Sequence, residues 1–92
     1  MKKILLTLLI TSVALIAAVD TTVCINCHGA NWDEEALSNS KNVSNMTHAE
    51  ITKALKGYKN GTYGGQLKTL MEKQVAKYSE AELEVFSQTV GK

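Results

Sequence analysis

Apolar residues recur at helical spacing in three stretches of the chain, and nowhere do they alternate for long enough to make a strand. Ile51, Ala54, Leu55 and Tyr58 fall at i, i+3, i+4 and i+7, one face of a helix. Thr47 and Glu50 precede them as a capping box, in which each side chain satisfies a free backbone N–H at the helix start. Met46 and Ile51 flank that start at the spacing of a hydrophobic staple. Leu67, Leu70, Met71, Val75 and Tyr78 form a second stripe, entered through the loop "KNGTYGG". Leu83, Phe86 and Val90 form a third, behind a second capping box at Ser79 and Glu82. Glu80, Glu82 and Glu84 crowd its first turns, where the helix dipole favours negative charge. Gly57 or Gly61 is expected to end the first helix and Gly91 the last. Residues 33–45 are mostly polar and read as loop, with one helical turn around Glu35. The fold class is all-α.

The first stripe-free stretch has another meaning. Lys2 and Lys3 form a basic start, and residues 4–19 carry no charge. Small residues follow at Ala17 and Ala18, the pattern of a secretory signal peptide. The apolar run is shorter than the roughly 20 residues a membrane span wants. A cut near Ala18 is expected, leaving 19–92 as the mature domain. A retained helical anchor is the alternative. Loss of Lys2 and Lys3 moves the formal charge from +1 to −1. That balance does not fit a nucleic-acid binder.

A chain of 92 residues buries a small core, and one Trp, one Phe and three Tyr are a thin aromatic supply. Domains of this size usually need a disulfide, a metal or a cofactor. Cys24 and Cys27 are the only two cysteines. A disulfide between them would close too short a loop to restrain the unfolded chain much. Three roles suit the pair. A thioredoxin-like redox site expects a βαβ context that the pattern lacks. A zinc site needs four ligands, and His48 is the only further histidine beside His28. The third role uses all of "CINCH": two thiols add to the vinyl groups of one haem, and His28 reaches the iron. Export and an all-α chain with a thin core favour this one.

The segments "CINCHG" and "GYKNGTYGGQLKTLMEKQVAKYSEAELEVF" resemble the small monohaem class I cytochromes c of bacteria, in particular the cytochrome c-553 group. The resemblance runs from about Cys24 to the C-terminus. It implies helices wrapped around one covalent haem c, with Cys24 and Cys27 as thioether anchors and His28 as an axial ligand. The family's axial methionine follows a "YGG" loop, and Met71 matches that position. Met46 has its staple role and His48 sits in a first helical turn, so Met71 is the expected sixth ligand. Two features depart from the family. No proline lies near Met71. Only "VDTTV" precedes the motif after the expected cut, where the family has a helix. Either that helix is shortened to the turn carrying the motif, or the leader is cut earlier or stays.

The haem pocket is expected to include Tyr58, Tyr63, Gly64, Gly65, Leu67 and Leu70. The glycines permit close backbone approach to a flat ring. The tyrosines either pack on the haem and its propionates or pack within helix and loop. The loop lacks the lysine and hydroxyl of a phosphate-binding loop. With histidine and methionine on the iron, no position is left for a substrate. The expected function is therefore one-electron transfer in the periplasm, between respiratory redox partners, by a monomer and not an enzyme. Lys41, Lys53, Lys56, Lys59, Lys68, Lys73 and Lys77 could steer acidic partners, or simply solvate a helix face. Two other readings are a haem-based sensor with a vacant sixth site and a membrane-anchored subunit of a larger oxidoreductase.

Overall fold

A computed structural model describes residues 18–38 and 41–92. The leader expected at the N-terminus lies, up to residue 17, outside the described residues. Among the described residues there are four α-helices and no strand: α1 (Thr22–His28), α2 (His48–Asn60), α3 (Lys68–Val75) and α4 (Glu80–Ser87). Short 3-10 turns at Ala36–Ser38 and Val43–Asn45 break the loop between α1 and α2. The expected turn near Glu35 thus forms one residue later, and the loop carries a second turn.

Both capping boxes form. Thr47 Oγ1 accepts the Glu50 N–H at 3.1 Å, and the Glu50 carboxylate accepts the Thr47 N–H at 3.3 Å. Ser79 and Glu82 repeat this at 3.1 and 2.9 Å. Each such cap contributes about 0.5–2 kcal/mol. Helix α3 starts differently. Leu67 stands at its cap position and offers no side-chain hydrogen bond.

Helix α2 is the centre of the fold and packs against both α4 and α3. Ile51, Ala54 and Leu55 from α2, Val75 from α3, Leu83 from α4 and Val90 after it are the buried apolar core. Met46 packs against this cluster together with Trp32, Met71 and Phe86. Its staple placement beside Ile51 therefore holds. Across the α2–α4 contact, the Thr52 and Ser87 hydroxyls hydrogen-bond to each other. Thr52 Oγ1 also lies 2.9 Å from the His48 carbonyl, and Ser87 Oγ 2.7 Å from that of Glu84. Two hydroxyl protons cannot fill three contacts, so the hydroxyl that donates across the interface gives up its own carbonyl. Lys56 and Glu84 add an ion pair at 3.2 Å on the exposed rim.

Of the two expected alternatives for the end of α2 the second holds, and the end of α4 differs from expectation. Helix α2 runs through Gly57 and stops at Gly61, a left-handed cap. Gly57 serves packing: a Cβ there would lie 2.4 Å from the Tyr63 Cβ. Helix α4 ends at Ser87, short of Gly91. Gly91, at φ 81°, lets the chain fold back so that the Lys92 N–H donates to the Met46 carbonyl at 2.9 Å. A Cβ on Gly91 would sit 2.4 Å from that carbonyl oxygen. The C-terminus thus fastens onto the entry of α2.

Candidate functional site

The motif "CINCH" occupies most of α1, which is the first helix among the described residues. Asp20 starts it, its carboxylate accepting the Thr22 N–H at 3.0 Å. That backbone hydrogen bond holds the Asp20 carboxyl below its ordinary value. The Asp20 N–H donates in turn to the Tyr78 hydroxyl at 3.0 Å, tying the start of α1 to the loop after α3. Cys24 and Cys27 are three residues apart on this helix, so their side chains share a face. No disulfide joins them; Cys24 is half-buried and Cys27 exposed. Burial pushes the Cys24 thiol up from its ordinary value.

His28 ends α1 and is 7% exposed. Burial pulls its pKa below the ordinary value, so the imidazole is held neutral, the form that ligates metals. Its Nδ1 is buried and has no hydrogen-bond partner among the described residues. The ring stacks on Trp32, with centroids 6.0 Å apart and planes 25° apart. Trp32 in turn meets Phe86 of α4 at 5.6 Å.

These groups border a cleft of two adjoining cavities, of about 400 Å³ and 220 Å³. Cys24, His28, Tyr58, Gly65, Met71 and Gln74 line both. Tyr63 and Gly64 line the larger, and Cys27, Leu67 and Leu70 the smaller. Every residue expected at the site therefore borders the cleft. Leu67 and Leu70 lie on its open side, and Met71 behind them is half-buried. Of the seven lysines, Lys41 lines the larger cavity and Lys68 the smaller; the other five line neither. His48 lines neither cavity.

The "YGG" loop is locked onto α2 by exchange of space. Tyr63 sits against Gly57, and Tyr58 sits against Gly64, where a Cβ would meet the Tyr58 ring at 2.6 Å. Gly64 also has φ 114°, which side-chain-bearing residues rarely adopt. The two tyrosine rings meet edge to face at 5.0 Å. Burial raises the Tyr58 pKa, so its phenol stays protonated.

Sequence reasoning missed three walls. Trp32, Met46 and Phe86 all line the larger cavity. Phe86 was legible only as core stripe, and Met46 was a candidate ligand set aside for its staple role. Trp32, the sole tryptophan, four residues after His28, was the available signal.

The residues present suit a covalent haem. Two thiols lie one helical turn apart, a neutral buried imidazole follows, and a thioether borders the same cleft. The cleft walls are largely apolar, with glycines where a side chain would intrude. Among the described residues, no three of His, Cys, Asp and Glu gather as a metal-binding set.

No protein-family model matches the chain. It is similar to cytochrome c-553 of Nitratidesulfovibrio vulgaris, at 35% identity over 69 residues, 75% of this chain and 68% of that protein. Cytochrome c-553 of Desulfomicrobium norvegicum shares 35% over 69 residues, 75% of this chain and 84% of the relative. Cytochrome c-553 of Helicobacter pylori shares 30% over 95 residues, covering 98% of this chain and 96% of the relative.

Proposed function

Since the chain belongs to the cytochrome c-553 family, we propose that it is a periplasmic one-electron carrier with His28 and Met71 as its axial ligands. Membership itself makes it a small electron-transfer protein with a covalently bound haem c, working between redox partner proteins. When bound, haem c supplies a reversible one-electron Fe(III)/Fe(II) couple. The observation that carries the finer reading is the convergence of Cys24, Cys27, His28 and Met71 on one cleft.

Cys24 and Cys27 would hold the group through thioether bonds. His28 is neutral because it is buried, so no proton has to leave before it binds metal. Met71 offers a soft thioether, which favours the ferrous form. Tyr58, Tyr63, Gly64 and Gly65 shape the inner wall, and Leu67 and Leu70 shield the outer one from water. His28 and Met71 would both hold the iron, which would leave no coordination site open to a substrate. The chain then acts as a carrier and not as an enzyme.

Residues 1–18 are read as a leader cut near Ala18, which places domain 19–92 in the periplasm. Among the described residues, no helix is long and apolar enough to cross a membrane. Partners would be met by a monomer, through the exposed edge around Leu67 and Leu70. Lys68 beside that edge, with Lys41, Lys53, Lys56, Lys59, Lys73 and Lys77 more distantly, would favour acidic partners in fast, salt-sensitive encounters.

Mass spectrometry of the purified protein tests leader and haem together: the expected mass is that of 19–92 plus one haem. The ferric visible spectrum tests the sixth ligand. The weak red-edge band of sulfur ligation should be present in the natural protein and absent in Met71→Ala, with a fall in reduction potential. A natural protein that lacks this band and binds carbon monoxide directly would favour the sensor reading instead.

A further inference from the structure

Trp32 is the most heavily constrained residue near the motif that the function above leaves unused. Its φ is 58°, in the left-handed region that bulky side chains avoid. Strained backbone of this kind persists only where the surroundings hold it, and it clusters at functional sites. The surroundings here are specific. The Trp32 N–H donates to the Gly29 carbonyl at 3.1 Å, and the Trp32 carbonyl accepts the Ser44 N–H at 2.7 Å. Asn42 accepts from both the Ser44 N–H and its hydroxyl, at 3.1 and 2.6 Å, and donates to the Asp33 carbonyl at 3.0 Å. The loop on both sides of Trp32 is therefore stapled. The result is one placement: an indole between the His28 ring and the Phe86 ring.

The His28 ring has an unusual need for such support. A histidine that binds metal nearly always donates its second ring N–H to a carboxylate, a carbonyl or water, which fixes the ring's orientation. The His28 Nδ1 is buried, and among the described residues nothing accepts from it. The His28 carbonyl accepts the Glu34 N–H at 3.1 Å. No acceptor among the described residues sets the imidazole plane, while an indole is stacked within 25° of it.

We propose that Trp32 is the positioning residue for the His28 imidazole, its stacked ring replacing the missing hydrogen-bond acceptor. This rests on the reading of His28 as an axial ligand. Two consequences follow. The plane of the imidazole is set by stacking, and Phe86 carries that constraint through to α4. The ring also gains no negative character from an acceptor on Nδ1, so it is a weaker donor to iron, which favours the ferrous state.

The test uses the natural holoprotein with Trp32→Leu and Trp32→Phe. In the reduced natural protein, nitrogen-15 NMR of histidine should show an iron-bound His28 whose Nδ1–H lacks the downfield shift of a hydrogen-bonded proton. In Trp32→Leu that proton should exchange with solvent faster, on the order of tenfold. The ferric haem-methyl shifts, which report the imidazole plane, should rearrange, and the potential should move. Trp32→Phe, which keeps a flat ring, should restore the natural pattern. A lower melting temperature in Trp32→Leu with unchanged methyl shifts, exchange and potential would reduce Trp32 to ordinary packing and overturn the proposal. A hydrogen-bonded Nδ1–H in the natural protein would overturn it as well, and needs no variant to fold. Absence of any iron-bound His28 signal would instead overturn the ligand reading on which the proposal stands.

Discussion

The two sides of α2 are built by different rules. Toward α4, protein packs on protein: Ile51, Leu55 and Leu83 are buried, Thr52 and Ser87 share a hydrogen bond, and both helix starts carry complete capping boxes. Toward α1 and α3 the same chain leaves Leu70 50% exposed and Leu37 63% exposed, with a buried imidazole nitrogen unpartnered. Among the described residues, two non-glycine residues have positive φ, Trp32 and Leu37, and both line the cleft. Where local preference, burial and polar satisfaction agree, the protein completes itself. Where they conflict, the interior is shaped for a group that the chain does not encode, as expected of functional sites.

The strongest way to break this contrast is to withhold the haem. Cys24→Ala with Cys27→Ala removes both covalent anchors. With six apolar residues buried among the described residues, the apo form should lose its cooperative thermal transition. Hydrogen exchange should show α1 and α3 opening first, with residual protection in α2 and α4. Uniform loss or uniform retention would erase the distinction. Next in size is Leu83→Ala, at the best-buried apolar position of the α4 side. It should cost about 2–5 kcal/mol in denaturant titration, with a small shift of the haem absorption, because Leu83 lines the larger cavity but not the smaller.

Gly64→Ala probes the opposite side. The added methyl overlaps the Tyr58 ring and the Lys68 side chain, on a backbone at φ 114°. The expected loss is about 1–3 kcal/mol. It should move the haem absorption more than Leu83→Ala does, because Tyr58 lines both cavities and Leu83 only one. A stability loss with an unmoved spectrum would separate the "YGG" loop from the site.

The same contrast explains what could be read from the amino acids. Helix starts were legible because a capping box is a local contract between residues three apart. Thr47 with Glu50 and Ser79 with Glu82 form as expected. Helix ends were less so. Gly57 and Gly91 look like stop signals, yet their reasons lie elsewhere, one in the Tyr63 side chain and the other in the Met46 carbonyl. The motif at Cys24, Cys27 and His28 was legible because its chemistry is contiguous. Trp32 was not, because its ring reaches Phe86 across 54 positions through a backbone conformation that tryptophan seldom adopts. Local grammar carries the self-sufficient side; the cleft side needs the fold.

The smallest expected effect concerns the α2 cap and belongs wholly to the self-sufficient side. The Glu50 carboxyl is held below its ordinary value, first by its hydrogen bond with Thr47 and then by the Thr47 backbone N–H. Because the folded value is depressed, the ionised carboxylate stabilises the fold at neutral pH. That contribution is complete above the ordinary glutamate value of about 4.3 and is lost as pH falls through the lower folded value. Glu50→Gln keeps an oxygen that can accept the Thr47 N–H, so the box survives, but it removes the charge beside the helix N-terminus. The variant should melt slightly lower at pH 7 and lose less than the natural protein on acidification, with an identical haem spectrum at both values. Equal acid sensitivity in the two proteins would mean that the cap lends stability by geometry alone. A haem spectrum that changed with Glu50 would mean that the two sides of α2 are not separate after all.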